Sequence, residues 1–447
     1  MAEPIISVSG LRGIVGDTLT PEVAIRYAAS FAAQTPPGAF VVTQDGRPSG
    51  AMFARAVLAG LQAVGRDTID VGVAATPTTG VLVRECGAAG GIQISASHNP
   101  SQYNGLKLFS AEGRVIPDAP GRNVLAHYRS GAVAWVAHDR LGRSLPCPDP
   151  IAAHLKKVLA TVDVEAIRRR RFHVLLDSNR GAGSILGRRL LQELGCEVTL
   201  LGGVPDGRFE HTPEPTAENL AGVLADVLRA GADVGFCQDP DADRLAILDE
   251  TGRYIGEEYT LALCVAHALR RVKGPIVTNC ATSRMSEDIA TTYGMPLLRS
   301  AVGEANVVDL MLAQRAVFGG EGNGGPIDPA VGWVRDSFVG MARVLESMAE
   351  NAAKISQLAD RLPRYEIVKT KIALAAEKVG PALDRLAEHF GDATADRLDG
   401  LRLDWPGRWL LVRPSNTEPI VRAIAEAATT AEAQRLCSEA ARVVNTQ

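Results

Sequence analysis

Three aspartates stand at alternate positions in the sequence QDPDADR, as Asp239, Asp241 and Asp243. In an extended loop alternate side chains point the same way, and carboxylates gathered without lysines between them repel one another unless a cation lies among them. Oxygen ligands alone suit Mg²⁺ or Ca²⁺ rather than zinc. The pattern also opens an EF-hand, but Arg244 stands where that loop requires glycine, and strand-like runs flank the motif. It therefore predicts a Mg²⁺ site, with a solvated acidic turn as the alternative.

A second segment, GIQISASHNPSQYNGLKLF, ends an apolar strand-like run abruptly on Ser95, Ser97 and His98. The serines lack the G-x-S-x-G pattern of a nucleophile elbow, and neighbours such as Ser97 and His98 rarely adopt triad geometry. A serine beside a bound divalent cation is better suited to carry phosphate, because the cation offsets charge on the transferring group. Lys107 is predicted to add positive charge or to move a proton. The alternative for Ser97 is a helix cap.

A third segment, VRPSNTEPIVR, puts two guanidinium groups and several hydroxyl or amide donors around one turn. A phosphate dianion is bound well by bidentate arginine together with short donors. The sequence therefore predicts a phosphate site, with a polar hairpin end as the alternative. The residues concerned are Arg413, Ser415, Asn416, Thr417 and Arg422.

A fourth segment, GGEGNGG, offers the carboxylate of Glu321 and the amide of Asn323 between glycines. Glycines let the backbone approach a ligand closely, and these side chains suit sugar hydroxyls. The segment lacks a P-loop lysine, and a simple glycine-rich turn is the alternative. Two shorter motifs are less specific. SGLRGIVG contains Arg12, and QDGRPSG contains Asp45 and Arg47, which are interpreted as helix-entry and supporting residues.

The elements that position these segments repeat along the chain. Three stretches read as strand, helix and strand, running from Asp45 to Gly72, Asp177 to Gly202 and Asn279 to Gly303. Such βαβ units imply parallel strands, and each copy continues with another helix, another strand and one of the polar loops. Open parallel sheets bind ligands beyond the carboxyl ends of their strands. Three related α/β domains with mixed, mainly parallel sheets are therefore predicted; three generic α/β layers are the alternative.

The pattern of apolar and polar residues changes after Leu362-Pro363. A smaller α+β domain with a hairpin turn at DWPGRW is predicted beyond that point. The domain boundaries expected from these patterns are 1–150 for the serine loop, 151–254 for the metal loop and 255–364 for the sugar loop. The phosphate-binding α+β domain then covers 365–447.

The composition and net charge of the chain limit the classes of partner that it is expected to bind. The chain has 447 residues, of which 46% are hydrophobic and 22% charged, and its formal net charge is -4. This describes a soluble globular protein without the basic field of a nucleic-acid binder, and no apolar run is long enough to span a membrane. Seven scattered cysteines without CxxC spacing favour free thiols in the cytoplasm, and the amino terminus does not read as an export signal.

Four segments resemble, in the same order along the chain, the motifs of the α-D-phosphohexomutase superfamily: SASHNPSQYNGLKLF, DPDADR, GGEGNGG and RPSNTEPIVR. The resemblance covers essentially the whole chain, including SGLRGIVG at the front. It implies three similar α/β domains and a smaller fourth domain around a central cleft. It also implies an intramolecular phosphotransferase that interconverts hexose 6-phosphate and hexose 1-phosphate.

The resemblance implies a role for each loop. Ser97 would carry the phosphoryl group, bind Mg²⁺ together with the three aspartates, and donate phosphate to a hexose monophosphate. A hexose 1,6-bisphosphate would be the bound intermediate and the activator, and it would turn over within the cleft. The phosphate loop with Arg413 and Arg422 would hold the non-reacting phosphate, and Glu321 would contact sugar hydroxyls. The remaining residues implied to line the transfer site are Arg12, His98, Lys107 and Arg244.

One departure from the family pattern bears on mechanism. Many relatives have G-E-x-S-G-H in the sugar loop. In this chain Asn323 replaces the serine of that pattern and Gly325 replaces the histidine. Lys107 or His98 is then the acid/base candidate. The motifs favour glucosamine phosphate as substrate, with glucose or mannose phosphate next, and a catalytically silent sugar-phosphate-binding protein as the alternative of another class. A monomer or homodimer is expected, with sugar phosphates as the only partners.

Overall fold

The computed structural model describes residues 3–7, 10–147, 149–415 and 419–445, and within them the chain forms four β-sheets flanked by helices. Among these residues no helix is both long and apolar enough to cross a membrane. Each of the first three sheets combines parallel strands with at least one antiparallel strand, and the fourth is antiparallel throughout. The predicted fold class is therefore confirmed.

The first sheet has seven strands in the spatial order β1-β2-β6-β5-β3-β4-β7. Strands β5, β3, β4 and β7 run parallel, whereas β6, β2 and β1 pair antiparallel. The strands are β1 (Ile5–Ser7), β2 (Gly10–Ile14), β3 (Phe40–Gln44), β4 (Thr68–Val73), β5 (Gly90–Ile94), β6 (Tyr103–Ser110) and β7 (Ser144–Leu145). The helices are α1 (Pro21–Ala33), α2 (Gly50–Ala63), α3 (Thr76–Glu85) and α4 (Asp118–Ser130), with a 3-10 turn at His138–Arg140.

Strand β3 is buried on both faces, as expected for the centre of a parallel sheet. Phe40 and Val42 enter the core built with α1 and α2, while Val41 enters a separate core on the α3 side. Side chains alternate between the faces of a strand, so an uninterrupted apolar run satisfies both cores at once.

The second and third sheets have four strands each. The second unit comprises α5 (Ala152–Leu159), α6 (Val164–Arg170), β8 (His173–Asp177), α7 (Gly183–Glu193), β9 (Glu197–Leu201), α8 (Ala221–Ala230), β10 (Val234–Gln238) and β11 (Leu245–Asp249). The third comprises α9 (Glu257–Arg271), β12 (Ile276–Asn279), α10 (Met285–Thr292), β13 (Leu297–Ser300), α11 (Glu304–Gln314), β14 (Phe318–Glu321), β15 (Gly325–Ile327), α12 (Ser337–Asn351) and α13 (Ile355–Asp360).

The same four-strand order recurs in all three units. It reads β4-β3-β5-β6 within the first sheet, β9-β8-β10-β11 in the second and β13-β12-β14-β15 in the third. In each unit the first three strands are parallel and the last returns antiparallel through a short loop. Those three hairpin loops carry the serine, aspartate and glycine-rich motifs. The predicted repeat is confirmed, and it places the three loops at equivalent positions.

The fourth unit is a five-stranded antiparallel sheet in the order β16-β20-β19-β18-β17. Its elements are β16 (Glu366–Ala373), a 3-10 turn at Ala376–Lys378, α14 (Val379–His389), β17 (Thr394–Asp396), β18 (Leu401–Trp405), β19 (Arg408–Pro414), β20 (Ile420–Ala427) and α15 (Thr430–Asn445). Trp405 pairs with Arg408 across the predicted DWPGRW hairpin. Helices α14 and α15 pack on one face of the sheet.

The other face of this sheet docks on the third unit. Trp409 and Leu411 lie in one apolar cluster with Cys280, which follows β12. The Arg284 side chain donates to the Trp405 carbonyl oxygen at 3.1 Å, and its backbone N–H donates to Glu426 at 3.0 Å. Apolar and polar contacts together therefore hold the fourth unit at the edge of the cleft.

A buried polar chain joins the first three units. Thr78 Oγ1 lies 2.9 Å from His154 Nδ1, and His154 Nε2 lies 2.7 Å from Asp336 Oδ2. These residues belong to α3, α5 and the start of α12, so one imidazole links three units in the interior. All three side chains are buried, and each polar atom has a partner, as a low-polarity interior requires.

Gly181 tests how closely the second unit holds its hairpin loop. A Cβ at this position would lie 2.5 Å from the Pro240 carbonyl oxygen and 2.6 Å from Pro240 Cα. Backbone cannot yield as a flexible side chain does, so Gly181→Ala should destabilise the protein by about 1–3 kcal/mol and lower its melting temperature. The control is Gly222→Ala in α8, where open space surrounds the position and alanine favours the helix. Scanning fluorimetry of both variants measures the effect; an unchanged melting temperature for Gly181→Ala contradicts it.

Candidate active site

Ser97 lies in the loop between β5 and β6 with a φ of 50°, a left-handed conformation that is costly for a residue other than glycine. Its backbone N–H donates to Ser95 Oγ at 2.9 Å, and the Ser95 hydroxyl in turn donates to Asp45 Oδ2 at 2.6 Å. The Ser97 hydroxyl donates to Asp239 Oδ2 at 3.1 Å and lies 3.3 Å from His98 Nδ1. The serine and aspartate loops thus meet at the Ser97 side chain.

Arg47 holds the serine loop in this conformation. Its buried guanidinium pairs with Asp45 at 3.0 Å and lies 5.0 Å from the centre of the Phe209 ring. Its remaining N–H groups donate, over 2.6–3.1 Å, to four carbonyl oxygens of the loop, those of Ser97, Asn99, Pro100 and Tyr103. Only a planar fork of five donors can satisfy so many acceptors at once. The geometry thus agrees with the supporting role interpreted for Asp45 and Arg47.

The aspartate motif forms the hairpin loop between β10 and β11. The loop is not extended as expected, because Ala242 adopts a left-handed φ of 56° and turns the chain. The carboxylates of Asp239, Asp241 and Asp243 nevertheless converge, with one oxygen from each lying within 4.8 Å of the others. All three residues are buried.

The donor set of this loop fits a hard divalent cation. Asp241 Oδ1 and Asp243 Oδ1 are buried and have no hydrogen-bond partner in the described part of the chain. A buried carboxylate oxygen without a partner is costly, and an oxygen-only set suits Mg²⁺. The residues present therefore fit the magnesium ion that the sequence predicts.

The aspartate loop itself contains no lysine, but Lys107, predicted to add positive charge, lies against its carboxylates. Lys107, on the neighbouring strand β6, places Nζ 3.0 Å from both Asp241 Oδ2 and Asp243 Oδ2. Arg335 adds a second cation, with Nη2 at 2.6 Å from Asp243 Oδ2. Spacing along the loop could not reveal either group, because both come from other units.

Charge in the cluster remains unbalanced. Glu304 and Glu321 join the three aspartates around Arg335 and Lys107, and Arg244 lies 3.9 Å from Asp243. Five carboxylates thus face three cationic side chains. Burial and the neighbouring carboxylates raise the pKa of Asp239, and that of Glu304 to about 7, so a bound divalent cation would favour their ionised forms.

Protonation at the site follows from burial and neighbouring charges. Burial, followed by the charges of Asp241 and Asp243, raises the pKa of Asp239 well above its usual range. Burial opposes a charge on Lys107, but the same two carboxylates outweigh it and raise the pKa of its ammonium. Burial and Arg244 lower the pKa of His98 to about 3. At neutral pH Lys107 is therefore charged and His98 is neutral.

The glycine-rich loop joins β14 to β15 and lies against the aspartate hairpin. The Leu245 N–H donates to the Gly324 carbonyl oxygen at 2.9 Å, so the second and third units touch here. Glu321 accepts hydrogen bonds from Asn279 at 2.7 Å and from Arg335 at 2.7 Å. Asn323 Oδ1 is buried and has no partner within the described ranges. Glu321 is thus held in place, while Asn323 has an acceptor to offer.

The phosphate motif lies at the end of β19 and the start of β20. Arg413 and Arg422 are direct partners across these strands, and Lys371 on β16 is the partner of Arg422 on its other side. Directly opposed residues in an antiparallel sheet share a face, so three cations form a row. Ser415 donates its backbone N–H to Ile420 at 2.9 Å. Asn416 and Thr417 lie outside the described residues.

The first and second units add arginines to the same cleft. Burial, then the charges of Arg422 and Arg244, lower the pKa of Arg12. Arg12, Arg244 and Arg422 belong to three different units and are close enough to repel one another. Such a gathering of guanidinium groups is favourable when an anion lies between them.

A second cluster of potential metal ligands lies elsewhere, in His267, Glu346 and Glu350. Arg343 Nη1 lies 3.1 Å from His267 Nδ1 and must be the donor, so the imidazole proton lies on Nε2. That nitrogen is 2.8 Å from Glu346 Oε2, and Arg271 also contacts Glu346. Arg270 and Arg271 offset the charges of Glu346 and Glu350, so this cluster is a partly buried ion-pair network, although His267 Nε2 and Glu346 Oε2 have no hydrogen-bond partner within the part of the chain that the structure describes.

The sequence analysis missed four polar residues of the site. Arg335 and Glu304 act on the carboxylate cluster, Thr76 donates to Asp241 Oδ2 at 2.5 Å, and Lys371 extends the cation row. Arg335 is a lone arginine in GWVRDSF, and Lys371 shares only an alternation of lysines with Lys369. No spacing pattern marks these residues, because they reach the site from three different units: Thr76 from the first, Glu304 and Arg335 from the third and Lys371 from the fourth.

Four consecutive segments of the chain match one family. They are described as Phosphoglucomutase/phosphomannomutase, with alpha/beta/alpha domain I at residues 5–133, domain II at 152–252, domain III at 257–365 and the C-terminal domain at 374–443. The fold is thus that of a phosphohexomutase, an isomerase of sugar phosphates. The chain belongs to the phosphoglucomutase/phosphomannomutase, or α-D-phosphohexomutase, superfamily, as its motifs predict.

Similar proteins span nearly the full length. A phosphoglucomutase/phosphomannomutase of Thermococcus kodakarensis is 38% identical over 94% of this chain and 93% of its own. A probable phosphoglucosamine mutase of the same organism is 34% identical over 98% and 97%. Among solved structures, a phosphoglucomutase/phosphomannomutase family protein from Burkholderia thailandensis superposes with a TM-score of 0.86 at 27% identity over 98% of both chains.

A more distant structure shares the fold alone. The N-acetylphosphoglucosamine mutase of Aspergillus fumigatus, solved with GlcNAc-6P and magnesium, has a TM-score of 0.60 at 15% identity over 99% of this chain and 96% of its own.

Asp241 tests the metal site directly. Asp241→Asn removes one charge and one oxygen ligand, so Mg²⁺ affinity should fall roughly tenfold or more in calorimetric titration. The control is Asp226→Asn on the surface of α8, which removes the same charge far from the cluster and should leave the titration unchanged. Equal Mg²⁺ affinity in Asp241→Asn and the unmodified protein contradicts the assignment.

Proposed function

We propose that this protein interconverts hexose 6-phosphate and hexose 1-phosphate through a phosphoserine at Ser97 and a bound hexose 1,6-bisphosphate. The observation that carries the proposal is the contact between the Ser97 hydroxyl and Asp239, 3.1 Å apart, at the edge of the aspartate cluster. Arg47 holds the serine loop against this cluster, so the reacting hydroxyl is presented without further rearrangement.

Asp239, Asp241 and Asp243 would hold Mg²⁺ together with an oxygen of the Ser97 phosphate. When bound, the cation offsets negative charge on the transferring phosphoryl group. His98, with Nδ1 3.3 Å from Ser97 Oγ, and Lys107, with Nζ 3.0 Å from Asp241 and Asp243, are the two acid/base candidates of this proposal.

The remaining motifs serve binding in this proposal. The row of Arg413, Arg422 and Lys371 holds the phosphate that does not react, together with Ser415, Asn416 and Thr417. Glu321 and Asn323 contact the sugar hydroxyls, and Arg12 and Arg244 line the transfer site. Because each phosphate of the intermediate must visit both positions, the sugar reorients within the cleft between the two transfers.

For the sugar we infer glucosamine phosphate. Several relatives that are 32–34% identical are described as probable phosphoglucosamine mutases. Glu257, at the start of α9, offers a second support: its Oε1 is buried without a hydrogen-bond partner among the described residues, and burial raises its pKa to about 7. The ammonium group on carbon 2 of glucosamine would pair with that carboxylate. Glucose or mannose phosphate is the second candidate, favoured by the relative at 38% identity.

The proposal includes Mg²⁺ and a hexose 1,6-bisphosphate as cofactor and activator. The Aspergillus mutase has been solved both with magnesium and, as a variant, with glucose 1,6-bisphosphate. A cytoplasmic location also belongs to the proposal, supported by seven cysteines that are all unpaired. A monomer or homodimer remains the expected assembly.

Ser97 phosphorylation tests the function. Glucose 1,6-bisphosphate should phosphorylate the protein at Ser97, detected by intact mass and peptide mapping. Ser97→Ala should lose both the modification and mutase turnover, because Thr76, which also donates a hydroxyl hydrogen bond to the cluster, is fully buried. The control is Ser101→Ala, an exposed serine of the same loop. A catalytically silent binding protein would bind sugar phosphate without being phosphorylated, and that result overturns the proposal.

Substrate assays test the sugar. Glucosamine, glucose and mannose 1-phosphates, each primed with its 1,6-bisphosphate, should give the highest kcat/KM for glucosamine 1-phosphate. Glu257→Gln should lower that value roughly tenfold relative to the value for glucose 1-phosphate, since only the aminosugar loses an ion pair. The control is the exposed Glu218→Gln. If Glu257→Gln lowers kcat/KM equally for both sugars, Glu257 plays no part in sugar selection. If the protein prefers glucose 1-phosphate or mannose 1-phosphate, the second candidate is supported.

A further inference from the structure

Arg335 is a buried cation that the family motifs do not include. It is the second residue before α12, its side chain is only 10% exposed, and its backbone N–H donates to Glu304 Oε1 at 3.1 Å. Burying a guanidinium is costly unless carboxylates surround it. Its position therefore has to be explained by the groups that it contacts.

Those groups belong to two different loops of the site. Nη2 lies 2.6 Å from Asp243 Oδ2 in the aspartate loop, and Nη1 lies 2.7 Å from Glu321 Oε2 in the glycine-rich loop. Nε faces Glu304 Oε2 at 3.4 Å, at the start of α11. One planar fork therefore joins a proposed metal ligand to a proposed sugar ligand.

The Arg335 side chain can occupy this position because residue 325 is a glycine. A Cβ on residue 325 would lie 2.8 Å from Arg335 Cγ and 3.0 Å from Arg335 Cβ, closer than such atoms pack. The Arg335 stem thus fills the space that any side chain at 325 would enter. Gly325 is also where the chain departs from the G-E-x-S-G-H pattern, so the glycine and the buried arginine form a matched pair.

We infer that Arg335 is a positioning residue, admitted by Gly325, that fixes Asp243 of the metal loop relative to Glu321 of the sugar loop. The inference rests on the proposed function, because that function assigns the two loops their roles. A guanidinium can satisfy two carboxylates at a set angle, whereas a lysine ammonium acts as a point charge. Replacement of Arg335 by lysine should therefore keep the positive charge and lose the geometry.

The test uses Arg335→Lys, Gly325→Ala, Arg335→Ala and the double variant Gly325→Ala/Arg335→Ala. Arg335→Lys should weaken Mg²⁺ binding and lower kcat, each by roughly tenfold or more, because Asp243 and Glu321 are no longer held together. Gly325→Ala should act in the same direction by displacing the arginine. In the Arg335→Ala background the glycine substitution should change much less, since the contact with Arg335 Cγ is gone and only the Cβ atom 3.0 Å away remains.

The matched control is Arg343→Lys on α12. Arg343 is likewise buried and also binds a carboxylate, Asp328, but it lies in the His267 network away from the site. Its replacement should lower the melting temperature and leave Mg²⁺ affinity unchanged. If Arg335 were merely structural, Arg335→Lys would behave in the same way, and that result overturns the inference.

Other outcomes separate the inference from the function. Additive effects of Gly325→Ala and Arg335→Ala would refute the matched pair. If Arg335→Lys does not fold, the Mg²⁺ affinity of Gly325→Ala decides the case, and an unchanged value counts against the inference. A wild-type protein without mutase activity overturns the proposed function, whereas Mg²⁺ titration still decides whether Arg335 positions Asp243.

Discussion

The structure depends on one electrostatic constraint, the burial of more carboxylates than cations at a junction of three units. Asp239, Asp241 and Asp243 come from one hairpin, and their charges are offset by Lys107 from the first sheet and Arg335 from the third. Desolvating such charges is expensive, so each must keep its partners. These ion pairs join the units, and the surplus of carboxylates favours binding of a divalent cation.

The repeated topology explains how these charges come together. Each of the first three units places a hairpin loop after its third strand, and the three loops carry a serine, a set of aspartates and a glycine-rich turn. Direct contacts tie them: Ser97 to Asp239, and Leu245 to Gly324. Equivalent positions of the three units thus carry three different sets of side chains. The fourth unit adds a row of cations from an antiparallel sheet.

Short-range features of the site were predictable. The strands that end on Ser97, Asp239 and Glu321 could be read from apolar runs followed by polar turns, because strand burial and turn formation are local properties. One expectation was wrong because of local conformation: the aspartate loop turns at Ala242 instead of extending. Arg335, which contacts Asp243 from 92 residues away, was not predicted at all.

By itself the sequence determined the α/β class, the threefold repeat, the serine loop and the carboxylate set, since each follows from a contiguous motif or a strand–helix period. Tertiary structure alone decided which charges meet. Arg335 reaches Asp243 across 92 residues and requires an empty position at Gly325, and Lys371 joins Arg422 through strand register. The physical reason is that pairing and close packing are set by distances between units, which no local pattern encodes.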